Sequence, residues 1–176
     1  TVLVGVSVQF MFGKLKPYQQ HRILTFLNPD GDPLGAGYNV IQSKIAIGSG
    51  GLFGKGWMHG SQAQLEFLPE RSTDFIFAVI GEELGLWGAA AILFGYFIII
   101  WRGIRIFLLT PDEFGRMLAL GLTIALGFQA LFNITVVLGL GPTKGIPLPM
   151  ISYGGSALMT TLASLGILLN ISENVG

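Results

Sequence analysis

Residues 117–140 run for about 24 positions without one charged side chain. As a helix rising 1.5 Å per residue, such a run is roughly 36 Å long, enough to cross the apolar core of a bilayer. The signal recurs. Residues 154–171 form a second uncharged run of about 18, and residues 75–101 a third of about 27 that carries Glu82 and Glu83. Charged residues make up 11% of the chain, against about 25% in a typical soluble domain. Ten basic residues balance ten acidic ones, so no cationic surplus exists to meet nucleic-acid phosphates. A hydrophobic content of 51% excludes a disordered tail. The absence of cysteine excludes a disulfide framework and a thiolate metal site. His21 and His59 are isolated, without metal-ligand spacing. An all-α polytopic membrane protein remains.

Around these spans the chain divides as follows. Residues 1–13 are apolar but too short to span, and are read as the end of a membrane helix that begins upstream. Residues 14–74 form a long connection, far above the usual loop length, so structure of its own is expected there. Residues 28–33, Asn-Pro-Asp-Gly-Asp-Pro, carry turn chemistry. Residues 38–47 mix Val40, Ile41, Ile45 and Ile47 with Gln42, Ser43 and Lys44, which predicts a short amphipathic helix lying at the membrane surface. The plainer alternative is a soluble loop. Residues 102–116 make a short connection in which Thr110 is a candidate cap and Pro111 suits a first helical turn. Residues 141–153 are rich in glycine and proline and are expected to be built from turns. Arg102, Arg105 and Arg116 favour the cytoplasm for the short connection, but Lys14, Lys16 and Arg22 oppose them, so charge leaves the orientation open.

The glycine-rich residues 47–56 invite a phosphate-loop reading, and the spacing refuses it. Ser49 stands where the first glycine belongs, and Gly56 where a serine or threonine must follow Lys55. A flexible or tightly turned loop is the simpler expectation. Asp74 is different. It lies at the mouth of the 75–101 run, where Thr73 or Asp74 can cap the helix and a carboxylate suits the helix dipole. On one continuous helix, Ala78, Gly81, Gly85 and Gly88 would share its face, a groove of small residues fit for a neighbouring helix or a lipid-like chain. Glu82 and Glu83, deeper in the span, need an ion pair or a polar cavity. Gln129 and Asn133, and Ser152, Ser156, Thr160 and Ser164, form polar stripes at spacing four, which interhelical hydrogen bonds would explain.

Three stretches now carry a resemblance: the runs from Asp32 to Gly51, from Phe67 to Gly85, and from Gly145 to Ser156. Together they resemble the SEDS proteins (shape, elongation, division and sporulation). The segments at residues 42–44, 54–57 and 64–68 are more similar to the elongation branch of that family than to the division branch. The resemblance implies about ten transmembrane helices, of which this chain would hold the last four, the first of them incomplete. It implies a peptidoglycan glycosyltransferase in the bacterial inner membrane that polymerises lipid II, an undecaprenyl-diphosphate-linked disaccharide peptide, on the outer face. It places the long loop outside and the 102–116 connection in the cytoplasm. The family's essential aspartate falls on Asp74, and an activity-tuning glutamate on Glu66. Lys144 matches a lysine of the last extracellular loop, where Ser152 and Gly154 are further candidate substrate contacts. The implied partner is a class B penicillin-binding protein, with membrane lipid around both. The family's N-terminal helices help to build the substrate cavity, so this stretch alone is expected to be inactive.

The chemistry is compatible. A carboxylate can deprotonate an attacking sugar hydroxyl, and a lysine, an arginine or a divalent ion such as magnesium or manganese can offset charge on a leaving diphosphate. Lys144 is equally readable as an interfacial anchor to lipid headgroups. Two rival functions fit the same residues: a flippase for the lipid-linked precursor, and a non-catalytic scaffold for the transpeptidase.

Overall fold

The computed structural model describes residues 16, 18–20, 23, 24, 36–57, 59, 60 and 73–173. The 1–13 apolar run, the 28–33 turn and Glu66 lie outside them. Five principal helices follow in order: α1 (Ala36–Gly50), α2 (Ile76–Glu83), α3 (Gly85–Leu109), α4 (Glu113–Val137) and α5 (Gly155–Glu173). The last three are long and apolar enough to cross a membrane.

Of the three, α4 is central. Nearly half of its most apolar stretch (44%) is buried, against 6% for α3 and 11% for α5, so those two turn most of their apolar surface outward. One half of α4 packs Ala119 and Leu126 against Leu168 and Ile171 of α5. The other half packs Ala130, Ile134 and Val137 against Ala46, Phe75, Phe77, Ala78 and Leu148. Close approach of α3 and α4 depends on glycine. A Cβ on Gly103 would lie 2.1 Å from Thr123 Oγ1.

The sequence analysis expected one helix over 75–101, and the structure divides it. Helix α2 ends at Glu83, and α3 starts at Gly85 with φ +66°. A left-handed residue turns the chain there, and glycine adopts it without strain. The break exposes backbone groups that need partners. The glycine-rich loop after α1 supplies them: Lys55 and Gly56 donate backbone N–H groups to the Glu82 and Glu83 carbonyls, both at 3.0 Å, and Gly51 O accepts from Leu86 N–H at 3.0 Å. So the 47–56 glycines form a tight clasp, the second of the two forms expected once the phosphate-loop spacing failed. The two backbones nearly touch. A Cβ on Gly54 would stand 2.0 Å from Glu83 O, and one on Gly50 would stand 2.0 Å from Gly81 O.

This break also corrects the small-residue groove. Gly85 and Gly88 do not continue the face of Ala78 and Gly81. Gly81 receives Ile47 of α1, Gly85 receives the backbone at Leu52 and Gly54, and Gly88 faces the Leu84 side chain. A protein segment fills the groove, which was one of the two expected occupants.

Helix α1 forms over the predicted 38–47 segment. Its packing face is Val40, Ser43, Ala46 and Gly50, all buried, while Lys44 and Ile45 are exposed. Its small residues bring it against α2 and α4, and Ser43 Oγ donates to the Val137 carbonyl at 2.7 Å. That face rests on protein rather than on lipid. The connection predicted over 102–116 shrinks to three residues, because nothing stops α3 before Thr110 and Pro111. Thr110 ends α3, donating Oγ1–H to Ile106 O at 2.6 Å, and Asp112 caps α4 by accepting from Gly115 N–H at 2.6 Å. The cap is therefore Asp112, not Thr110, since a carboxylate is the stronger acceptor for the first-turn N–H groups.

Gly51 (φ +58°) and Gly54 (φ +76°) share the left-handed conformation, but Gly51 faces open space. Gly51→Ala is expected to cost about 1 kcal/mol from backbone strain alone. Gly54→Ala is expected to cost several-fold more, because its Cβ meets a carbonyl oxygen. Thermal unfolding of the detergent-solubilised full-length protein checks this. Equal losses for the two variants would mean that the clasp is not tightly closed.

Candidate functional site

Residues 138–154, between α4 and α5, contain no helix. Part of this segment reaches down into the helical bundle, where three side chains take its carbonyls. Asn133 Nδ2 donates to Ile146 O at 2.8 Å, Gln129 Nε2 to Pro147 O at 3.1 Å, and Tyr96 O–H to Pro149 O at 2.5 Å. Gln129 lies two turns inside α4 and Tyr96 three turns inside α3, so the segment is re-entrant. Non-helical backbone at that depth is tolerated only when buried in protein and hydrogen-bonded. Met150, at the bottom turn, takes φ +65°, the only left-handed non-glycine among the described residues.

Asp74 lies where this segment meets the start of α2. Asn133 Nδ2 also donates to the Asp74 carbonyl at 2.8 Å. Ser152 Oγ donates to the neighbouring Thr73 carbonyl at 2.5 Å and accepts from Leu148 N–H at 2.7 Å. The aspartate backbone is thus held from both sides. Its carboxylate is turned toward Gly145: a Cβ on that glycine would lie 2.9 Å from Asp74 Oδ2. Ile146 N–H donates to Lys144 O at 2.7 Å, which makes a tight three-residue turn centred on Gly145. Lys144, exposed, leaves the chain one residue before the glycine that the carboxylate touches.

The expected site residues separate. Asp74 and Lys144 come to one place through Gly145. Ser152 is buried, and its hydroxyl is engaged as donor and acceptor, which fixes the loop. Gly154 stands apart from that contact; its carbonyl accepts from Leu158 N–H at 2.9 Å and opens α5. Neither Thr73 nor Asp74 caps α2. Its N-cap is Phe75, and no side chain caps it. The polar stripes are corrected too. Gln129 and Asn133 bond loop and turn carbonyls rather than a facing helix. Thr160, exposed, and Ser164, half-buried, bond carbonyls four residues back, at 2.8 Å each.

Two features of this end of the molecule were not read from the sequence. Lys55 pairs with the fully buried Glu82 at 2.7 Å, which answers the question of that carboxylate with an ion pair. Nothing in the sequence ties two residues 27 apart. Asn133 is the central tie of the site, and its Oδ1 is buried without a hydrogen-bond partner among the described residues. Its spacing to Gln129 was visible, but not its partners. Among the described residues, no three His, Cys, Asp or Glu side chains group as metal ligands.

Comparison with known proteins covers nearly the whole chain. A family model described as "Cell cycle protein", that of FtsW, RodA and SpoVE, matches residues 1–175. The peptidoglycan glycosyltransferase MrdB of Escherichia coli (strain K12) is 52% identical over 171 residues, 97% of this chain and 46% of that protein. A probable peptidoglycan glycosyltransferase FtsW of Trichlorobacter lovleyi is 52% identical over 158 residues, 90% of this chain and 41% of that protein. The chain therefore spans about half the length of the curated relatives it matches. A solved chain, described for the structural coordination of polymerization and crosslinking by a peptidoglycan synthase complex, matches with TM-score 0.74 and 33% identity. That match covers 99% of this chain and 49% of the other.

Removing the Asn133 amide leaves the Asp74 and Ile146 carbonyls without their donor. Asn133→Leu is expected to cost on the order of 1–3 kcal/mol per abandoned carbonyl and to lower the activity of the full-length protein more than Gln129→Leu, which abandons a carbonyl farther from Asp74. Unfolding midpoints and activity of the two variants, side by side, give the check.

Proposed function

This chain belongs to the SEDS family of multi-pass membrane proteins, and we propose that it is the C-terminal part of a peptidoglycan glycosyltransferase that polymerises lipid II. The observation that carries the reading is the convergence on Gly145 of the Asp74 carboxylate and the turn bearing Lys144. Glycosyl transfer asks for this combination. A base takes the proton of the acceptor hydroxyl, the hydroxyl oxygen bonds to the anomeric carbon, and the bond from that carbon to the diphosphate oxygen breaks. In this reading Asp74 is the base, and Lys144 offsets charge on the departing diphosphate. Both lie near the membrane-boundary end of the bundle, the level at which a lipid-anchored sugar is carried. Ser152 and Asn133 position Asp74 through its backbone. Glu66 is proposed as a further substrate contact, and Gly154 as part of the loop wall.

A divalent ion fits this chemistry without a ligand cluster, since magnesium is commonly held by one or two carboxylates together with substrate phosphates. In the alternative role for Asp74, as ligand rather than base, it is the residue that would hold magnesium or manganese, and the ion would activate the acceptor hydroxyl and offset charge at the diphosphate. The orientation proposed puts the Asp74 end outside the bacterial inner membrane and residues 110–112 in the cytoplasm. The partner proposed is a class B penicillin-binding protein, and the branch is cell elongation.

Asp74→Asn in the full-length protein is expected to abolish polymerisation of lipid II in a protein that still folds, because asparagine keeps the shape of the side chain and removes only its charge. The assay is glycan synthesis by purified protein without another glycosyltransferase. Failure of the wild type to polymerise would favour a flippase, and normal synthesis by Asp74→Asn would remove Asp74 from the mechanism.

Lys144 has a separate test, the polymerisation rate against lipid II concentration. Lys144→Gln is expected to lose much of its activity at limiting substrate, and Lys144→Arg to keep most of it, since a neutral amide does not replace a cation at a diphosphate. Near-normal substrate dependence for Lys144→Gln would leave the lysine as a headgroup anchor.

A further inference from the structure

At the opposite end of the bundle from Asp74, a cavity of about 400 Å³ opens between α3 and α5. Its lining divides by chemistry. Arg102, Arg105 and Ser172 supply polar groups, and Ile106, Leu109 and Leu169 supply an apolar wall. We propose that this cavity binds one anionic glycerophospholipid, with the headgroup phosphate on the two guanidinium groups and an acyl chain along the apolar wall.

Four observations support the assignment. First, the arginines are carried inside an apolar helix, not beyond it. α3 continues past them through Ile106, Phe107 and Leu108 to Leu109, so the guanidinium groups start about one to two turns short of the helix end. A cation there reaches toward the headgroup layer and seeks an anion at that level. Second, the spacing of three puts Arg102 and Arg105 on one helix face, where two planar forks can share a phosphate. Third, no described residue neutralises them. Asp112, Glu113 and Glu173 are the described carboxylates at this end, and none forms an ion pair with either arginine. Fourth, Arg105 is steadied: its Cζ lies 5.6 Å from the centroid of the Trp101 ring. The stacked indole holds the fork while leaving its N–H groups to bind. A soluble anion would find the charges but gain nothing from Ile106, Leu109 and Leu169. A lipid uses both halves of the cavity, and basic pockets between membrane helices are suited to anionic headgroups.

The inference requires only that the helices cross a membrane, so it stands or falls apart from the glycosyltransferase reading. The test uses the full-length protein in phosphatidylcholine vesicles with trace spin-labelled lipid, and measures the motionally restricted fraction by electron paramagnetic resonance. Wild type is expected to hold spin-labelled phosphatidylglycerol about tenfold more tightly than spin-labelled phosphatidylcholine at this site. R102Q/R105Q is expected to abolish the preference, and R102K/R105K, which keeps the charge and guards against a folding artefact, to retain part of it. L169Q is expected to weaken retention of both lipids. No preference in wild type overturns the proposal. So does a preference that survives R102Q/R105Q, as it would if a carboxylate elsewhere in the full-length protein occupied the arginines. Loss of the preference in millimolar inorganic phosphate would identify a free-phosphate site and overturn the lipid as occupant.

Discussion

Backbone that is not helical and lies at membrane depth must have every polar group bonded, and the arrangement around Asp74 follows from that requirement. Water is not there to accept the task. The re-entrant segment meets it in two ways. Pro147 and Pro149 have no N–H, so part of the donor side of the problem never arises. The acceptors that remain are taken one by one: Ile146 O by Asn133, Pro147 O by Gln129 and Pro149 O by Tyr96. Three donors on two helices thereby fix the path of a loop that has no regular structure of its own. Because Asn133 reaches Asp74 O with the same amide nitrogen, the path of the loop and the position of the aspartate are set together.

The second half of the site rests on a different constraint, the distance between backbones. The clasp at residues 50–56 closes on the α2–α3 break only because Gly50, Gly54 and Gly85 have no Cβ to keep the chains apart. The closure covers Glu82 and brings Lys55 to it. A lone buried carboxylate in a membrane helix is costly, and breaking such a pair is more costly than never having built it. The charge also opposes any sliding of α2 relative to the clasp, so the element that carries Asp74 at its start is anchored at its end.

Much of this was legible in the sequence, and what was hidden had a common cause. The apolar spans were visible because hydropathy is a property of contiguous residues. The turn-built 141–153 loop and the helix over 38–47 were visible for similarly local reasons. Asp74 could be singled out as a carboxylate at the mouth of a membrane helix, and Lys144 as the only charge between Arg116 and Glu173. What failed was extrapolation along a helix presumed straight. One glycine at 85, taking a left-handed φ, divides the 75–101 span and rotates everything after it, so the face computed for Gly85 and Gly88 had no physical existence. The pairing of Lys55 with Glu82, of Ser43 with the Val137 carbonyl, and of Asn133 with two separate carbonyls depends on tertiary contacts across long stretches of chain. Spacing at four residues marked Gln129 and Asn133 as one face, but it did not say whether that face met a helix or a loop.

The correction at the start of α2 also bears on where the Asp74 carboxylate points. An aspartate that caps a helix has its oxygens aimed at first-turn N–H groups. Here the cap position belongs to Phe75, and the carboxylate is instead turned toward the α-carbon of Gly145. Any side chain at 145 would push into the 2.9 Å between that α-substituent position and Oδ2, so glycine is what permits the approach. The turn that presents Gly145 is the one that carries Lys144, and its far end is locked by Leu148 and Ser152 to the carbonyl of Thr73. The backbone at Asp74 and the turn that carries Lys144 are thus tied to one another through Asn133 and Ser152. Backbone positions tied before a substrate arrives need no ordering when it binds.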